Sequence, residues 1–272
     1  MSLRTIKILT GLFLAIAFGG LGWLAFVKIK AQREQAKITE AKDHVRQRRS
    51  FESNAVIAKV EARRGVDETV HATPVDLSAY INSPLDNSFV PKSAKDNNLS
   101  ELGEGLQTLA GVPFSIKGAI QLHGNDLRSF SKASFPREVS GIQVAATCEK
   151  IHILHGSYFV KQLGLPIAKL VLHYANGATG EISIVTGQHV LDWWAPNYGT
   201  GVKKNWRDVS APGSELAWVG SNPYIKRKQP NLSLRLFKSS FQNPQPTAQL
   251  MTIDYVSTLS QSAPFLVGLT VE

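Results

Sequence analysis

The stretch AKLVLHYANGATGEISIVT, residues 168–186, decides the fold of the C-terminal part of the chain. Leu170 and Leu172 alternate with Lys169, Val171 and His173, and this period of two predicts a strand with one buried face. Asn176-Gly177 follows, a pair that tolerates the positive φ angles of a tight hairpin turn. The stretch therefore predicts two antiparallel strands joined by a short turn.

Short apolar segments of the same kind fill residues 75–272, separated by Gly, Pro, Asn and Ser. No long amphipathic helix interrupts them, so we expect a mainly β domain built as a single antiparallel β-sandwich. The predicted strands are Val112–Leu122, Val139–Val144, Lys150–His155, Ile167–Tyr174, Glu181–Thr186, Leu216–Val219, Leu232–Phe237, Met251–Thr258 and Phe265–Val271.

The N-terminal part of the chain has a different amino-acid composition. After a tail of residues 1–7, Ile8–Val27 is an uncharged, proline-free run of 20 residues. A helix of that length crosses about 30 Å of hydrocarbon, so the run predicts a transmembrane helix in contact with membrane lipid. A cleaved signal peptide is the alternative, but such apolar regions are usually shorter and end in small residues.

Residues 28–74 link this helix to the domain. Helix-forming Ala, Glu, Gln, Lys and Arg dominate up to Arg49, which predicts a polar helical stalk. Residues 1–64 contain 13 basic and 5 acidic residues, whereas residues 65–272 contain 17 and 16. Since the basic excess lies beside the membrane and not on the domain, we expect no nucleic-acid partner.

The orientation in the membrane has two opposing indications. The basic residues after the run outnumber those before it, which by the positive-inside rule favours a cytoplasmic domain. A short N-terminal tail before a large domain is, in contrast, the usual layout of an exported and anchored protein. We expect an inner-membrane, single-pass protein with an extracytoplasmic C-terminal domain.

The chain offers little for metal or covalent chemistry. His152 and His155 are three residues apart on a predicted strand, where they would point to opposite faces and could not readily share a metal ion. Cys148 is the single cysteine, and its apolar surroundings predict a small buried side chain. We therefore predict neither a metal site nor a cofactor.

Acidic residues of the domain are scattered, with no paired motif of the kind that glycosidases use. The G-x-G within Leu99–Gly111 has no preceding predicted strand and no third glycine, so it does not predict phosphate binding. A glycosidase stays as the least favoured alternative, and we expect that the protein is not an enzyme.

Aromatic and polar residues gather around a long irregular stretch, Ala195–Gly213. Rings beside Asn, Asp and Arg are suited to sugars, whose apolar faces pack on rings while their hydroxyls form hydrogen bonds. Of the adjacent Trp193 and Trp194, at least one should face the core. The predicted ligand-binding residues are Trp206, Tyr198, Asn197, Arg207, Trp194 and Asp192.

Six segments, in this order, resemble bacterial β-sandwich modules of the galactose-binding-domain-like, jelly-roll type. They are VDLSAYIN (75–82), GLQTLAGVPFSIKGAIQL (105–122), FPREVSGIQVAATCEKIHILHGS (135–157), AKLVLHYANGATGEISIVTGQHVLDWW (168–194), AWVGSNP (217–223) and FQNPQPTAQLMTIDYVSTLSQSAPFLVGLTVE (241–272). Such modules occur in secreted or membrane-anchored proteins. The resemblance implies a jelly-roll-like fold and non-catalytic sugar binding, and it implies no catalytic residue.

The leading hypothesis is therefore a membrane-anchored, non-catalytic binding module for carbohydrate or cell-envelope material. The alternative is an envelope scaffold, in which the sandwich binds another protein and the stalk sets its distance from the bilayer.

Overall fold

The computed structural model describes residues 72–91, 94–196 and 209–272. The predicted transmembrane helix at residues 8–27 lies outside this part of the chain, as does the predicted stalk up to residue 71. Within the described residues, no helix has the length and apolar character needed to span a bilayer.

The described residues form thirteen strands and two short α-helices. The helices are α1 (Asn125–Ser131) and α2 (Pro223–Lys228), and 3₁₀ turns lie at Ser78–Tyr80 and Ser100–Leu102. The strands are β1 (Thr73–Pro74), β2 (Gly105–Leu109), β3 (Val112–Ile116), β4 (Ile120–Gln121), β5 (Glu138–Ala146), β6 (Lys150–Tyr158), β7 (Pro166–Tyr174), β8 (Thr179–Val185), β9 (Trp194–Pro196), β10 (Ser214–Gly220), β11 (Leu232–Gln242), β12 (Leu250–Ser257) and β13 (Ala263–Val271).

The strands form two main sheets and a separate hairpin. The larger sheet has the order β1-β13-β6-β11-β10, with β4 beside β13 and β9 beside β11. The smaller sheet has the order β5-β12-β7-β8, and β2 pairs with β3. Every pairing of named strands is antiparallel, which confirms the prediction of a mainly β, antiparallel fold.

The hairpin predicted from residues 168–186 is β7–β8. Gly177 adopts φ +82° in its turn, and the Gly177 amide donates to the carbonyl oxygen of Tyr174 at 2.9 Å. Leu170 and Leu172 are fully buried, as the alternation predicts. They belong to a core between the two sheets, which also contains Cys148.

A second apolar core covers the opposite face of the larger sheet. Leu154, Leu236 and Phe265 of that sheet pack there with Phe114 of β3 and Leu127 of α1. The centre of the larger sheet is consequently buried on both faces, and every residue of β13 is buried. The domain thus has a third layer beyond the two-sheet sandwich predicted from the sequence.

Two details of the strands near this second core differ from the predicted strands. The predicted strand Val112–Leu122 is divided into β3 and β4, because Gly118 between them adopts φ +154°. A Cβ atom at that position would lie 2.7 Å from Cγ2 of Ile81, so only glycine fits the bend. Strand β2 was not predicted, since its sequence lies within the Gly-containing stretch 99–111.

Candidate functional site

A pocket of about 310 Å³ lies on the side of the larger sheet that faces away from the smaller sheet. Its described wall is mostly aromatic, with two polar residues. The lining residues are Val90, Asn97, Phe130, Tyr158, Phe159, Asp192, Trp193, Trp194 and Tyr224. Phe130 is well exposed and Trp194 and Tyr224 are partly exposed, so the pocket opens to solvent.

Regular elements hold these rings in place. Tyr158 is the last residue of β6, Trp194 is the first of β9, and Phe130 lies on α1. Tyr224 lies in the first turn of α2, behind Pro223 at the helix start. Helix α2 is capped by Asn222, whose side-chain oxygen accepts from the Ile225 amide at 2.8 Å.

Four aromatic rings, those of Phe89, Trp193, Trp194 and Tyr224, stack in a column from the core to the mouth of the pocket. Phe89 lies 5.9 Å from Trp193 at an interplanar angle of 22°, and Trp193 lies 6.2 Å from Trp194 at 27°. Trp194 in turn lies 6.0 Å from Tyr224 at 30°. Trp193 is only 3% exposed, which confirms that one of the adjacent tryptophans belongs to the core. The partly exposed Trp194 is therefore held rigidly from behind.

Asp192 fixes the chain around the pocket. One carboxylate oxygen accepts from the Trp194 amide at 3.0 Å, and the other accepts from the Val160 amide at 3.0 Å. Burial raises the pKa of the Asp192 carboxyl, and these hydrogen bonds oppose the rise without cancelling it. The Arg235 guanidinium donates to the main-chain oxygen of Asp192 at 2.7 Å and lies 5.3 Å from the Phe237 ring.

The described wall offers few polar contacts to a ligand. Asp192 is its only charged residue, and no Lys or Arg lines the described part of the pocket. Asn97 accepts a hydrogen bond from the Asn222 side chain at 3.2 Å. The Tyr158 hydroxyl and the Trp194 indole N–H are covered from solvent and have no hydrogen-bond partner among the described residues. The described wall therefore consists mainly of aromatic side chains and one partly buried acid.

The structure brings two of the six predicted binding residues, Trp194 and Asp192, to this pocket. The other four, Asn197, Tyr198, Trp206 and Arg207, lie outside the described residues. Sequence reasoning missed Tyr158, Tyr224, Phe130 and Asn97. These come from four distant segments, and each is an isolated residue with no local pattern around it.

The two histidines of the H-x-x-H motif face opposite sides of β6, as predicted. The His155 ring bonds to the Ser239 hydroxyl at 2.8 Å, whereas the His152 ring bonds to Ser240 at 2.8 Å and to the Glu272 carboxylate at 3.0 Å. No group of three or more potential metal ligands occurs in the described part of the chain.

Ser240, His152 and Glu272 lie in a line that resembles a nucleophile, a base and an acid. Glu272 also pairs with the Lys150 ammonium group, and its main chain bonds to Lys150. Burial lowers the pKa of His152, although Glu272 opposes that effect. The network joins β6, β11 and the residue after β13, so its contacts have a structural explanation.

Comparison of the sequence with protein-family models and with curated proteins finds no match. The resemblance to galactose-binding-like modules therefore stays a prediction. The pocket and its chemistry carry the functional proposal.

Proposed function

We propose that the domain is a non-catalytic binding module whose ligand occupies the aromatic pocket. The observation that carries the proposal is the partly exposed pair Trp194 and Tyr224 at the mouth of a preformed cavity of about 310 Å³. Binding sites for small ligands are typically concave and mainly apolar, with a few fixed polar groups. The column behind Trp194 supplies the rigidity that limits the entropic cost of binding.

Carbohydrate is the ligand class that the sequence resemblance suggests for this pocket. The apolar face of a sugar ring packs well on Trp and Tyr, and Trp194 and Tyr224 are among the residues that line the pocket. Asn197, Tyr198, Trp206 and Arg207 are the further contacts proposed for a glycan. A jelly-roll-like topology belongs to the same proposal.

The binding proposal predicts that Tyr224→Ala weakens ligand affinity at least about tenfold, because central aromatic contacts dominate small interfaces. The measurement is a tryptophan-fluorescence titration of the full chain in detergent against glycans and small cell-envelope metabolites. Trp218→Ala is the control, since Trp218 is partly buried but does not line the described pocket. Unchanged affinity in Tyr224→Ala, or no saturable ligand at all, would contradict the proposal.

We also propose that residues 8–27 anchor the chain in the inner membrane, with the domain outside the cytoplasm. After alkaline carbonate extraction the full chain should stay in the membrane pellet, and deletion of residues 8–27 should release it. Protease added to spheroplasts should digest the domain. Recovery of the full chain in the supernatant would refute the anchor, and protection from protease would reverse the orientation.

A further inference from the structure

We infer that the aromatic pocket recognises a quaternary or fully methylated ammonium group, held by ring faces and by the Asp192 carboxylate. The inference rests on the proposed binding function of this pocket, and it assigns the pocket a ligand class other than the carbohydrate that the resemblance suggests. Three properties of the described wall support it: the arrangement of the rings, the sign of the charge, and the scarcity of free hydrogen-bonding groups.

Six of the nine residues that line the described wall are aromatic. Trp194 and Tyr224 stand nearly parallel at the mouth, Tyr158 meets Trp193 edge to face at 5.0 Å, and Phe130 approaches Phe159 at 6.1 Å. An aromatic ring carries negative charge density on its faces, so a cation within about 6 Å of a ring centroid is attracted. Several rings around one cavity form a cage of the kind that binds methylated ammonium groups.

The charge around the pocket favours a cation over an anion. Asp192 is the only charged residue in the described wall, and it is partly buried. The nearby basic residue Lys161 is paired with Asp126 at 2.6 Å. Arg235 bonds to the main chain of Asp192 and packs on Phe237, which belongs to the core on the other face of the sheet. Its charge also opposes the rise in the pKa of the Asp192 carboxyl, but Arg235 does not line the described wall. An anionic ligand would therefore meet Asp192 without a compensating cation in the described wall.

The number of hydrogen-bond acceptors that a ligand needs from the pocket wall distinguishes a methylated ammonium from other ligands. A quaternary nitrogen has no N–H, so it leaves no unmet donor when it enters a ring-lined cavity. A sugar or a primary ammonium brings several polar hydrogens, and burying each without an acceptor costs about 1–3 kcal/mol. Both Asp192 carboxylate oxygens and the Asn97 carbonyl oxygen already accept a hydrogen bond. The Tyr158 hydroxyl and the Trp194 N–H, which are covered from solvent, are the groups of the described wall without a partner among the described residues. The wall thus fits a ligand that needs charge stabilisation and few hydrogen bonds.

The test is a calorimetric titration of the full chain in detergent with choline and with its neutral carbon isostere, in which a tert-butyl group replaces trimethylammonium. Sodium chloride matches the ionic strength in both arms, and glucose and galactose are a third arm. We expect choline to bind about five- to thirtyfold more tightly than the isostere, since the two differ in charge and hardly in shape.

Matched variants locate the effect in the pocket. Trp194→Leu keeps an apolar side chain but removes the ring, so it should weaken choline binding about tenfold while changing isostere binding less than about twofold. Tyr224→Leu likewise replaces an aromatic ring with an apolar side chain, here on α2. It provides the same test if Trp194→Leu does not fold. Trp218→Leu is the control outside the described wall and should leave choline affinity unchanged.

The outcomes separate the two proposals. Equal affinity for choline and the isostere, or choline affinity unchanged in both pocket variants, would overturn the cation inference and leave a binding pocket. Saturable binding of a sugar alone would overturn the inference in favour of carbohydrate. If none of the ligands saturates, the cation inference fails; failure across the wider ligand screen as well would refute the binding function.

Discussion

Trp193→Ala should lower the free energy of unfolding by about 3–5 kcal/mol, the range typical of large aromatic truncations in a core. The side chain is 3% exposed, and its ring contacts those of Phe89, Tyr158, Phe265 and Trp194. Alanine would leave a cavity that these four rings cannot fill without losing their own geometry. Urea denaturation of the full chain in detergent, followed by circular dichroism, measures the change.

Two further variants make the result specific to the ring column. Trp193→Phe keeps an aromatic ring in the same place and should recover more than half of the loss. Trp218→Ala removes a tryptophan that is only partly buried, so it should cost less than Trp193→Ala. If the two alanine variants lose equal stability, the column is not a principal element of the core.

Acid should destabilise the domain well before its carboxylates are protonated. Burial, with a smaller contribution from neighbouring His189, lowers the pKa of His155 from 6.5 to about 3. Below pH 6.5 the unfolded chain takes up a proton that the folded chain refuses until about pH 3. The stability contributed by neutral His155 is therefore complete above pH 6.5 and falls with pH, by at most about 1.4 kcal/mol per unit.

The pKa values of His152 and His189 are also lowered, so they add to the slope, whereas the raised pKa of Asp192 acts in the opposite direction. His155→Gln preserves a hydrogen-bonding group near Ser239 and removes the titration. Its unfolding free energy should change less between pH 6.5 and 5 than that of the unaltered chain. Parallel slopes in urea melts would exclude His155 as a source of acid sensitivity.

The sequence predicted the strands whose signal is local. The β7–β8 hairpin has alternation and an Asn-Gly turn in one short stretch, so its register and buried face followed directly. The sequence of β2 lacks this alternation. Its residues form a strand only because β2 pairs with β3 as a hairpin that packs over the larger sheet. The continuous apolar sequence of β13 was compatible with burial on both faces, but nothing local showed what the second face covered.

The site was predictable only where neighbours in sequence are neighbours in space. Trp193 and Trp194 are adjacent at the end of an apolar run, which indicated that at least one of them belongs to the core. Their rings stack at 6.2 Å, with Trp193 buried and Trp194 partly exposed. Tyr158 and Tyr224 reach the same pocket from β6 and α2, which are brought together by the fold alone. No spacing in the sequence connects them.

The centre of the larger sheet joins segments that are far apart along the chain. Strand β13 pairs with β1, although the two strands are separated along the chain by nearly the whole described domain. It also pairs with β4 and β6. The domain therefore has a high contact order. Its longest loops must close, at an entropic cost, before the sheet gains these hydrogen bonds, so chain topology as well as local propensity limits the rate at which it can fold.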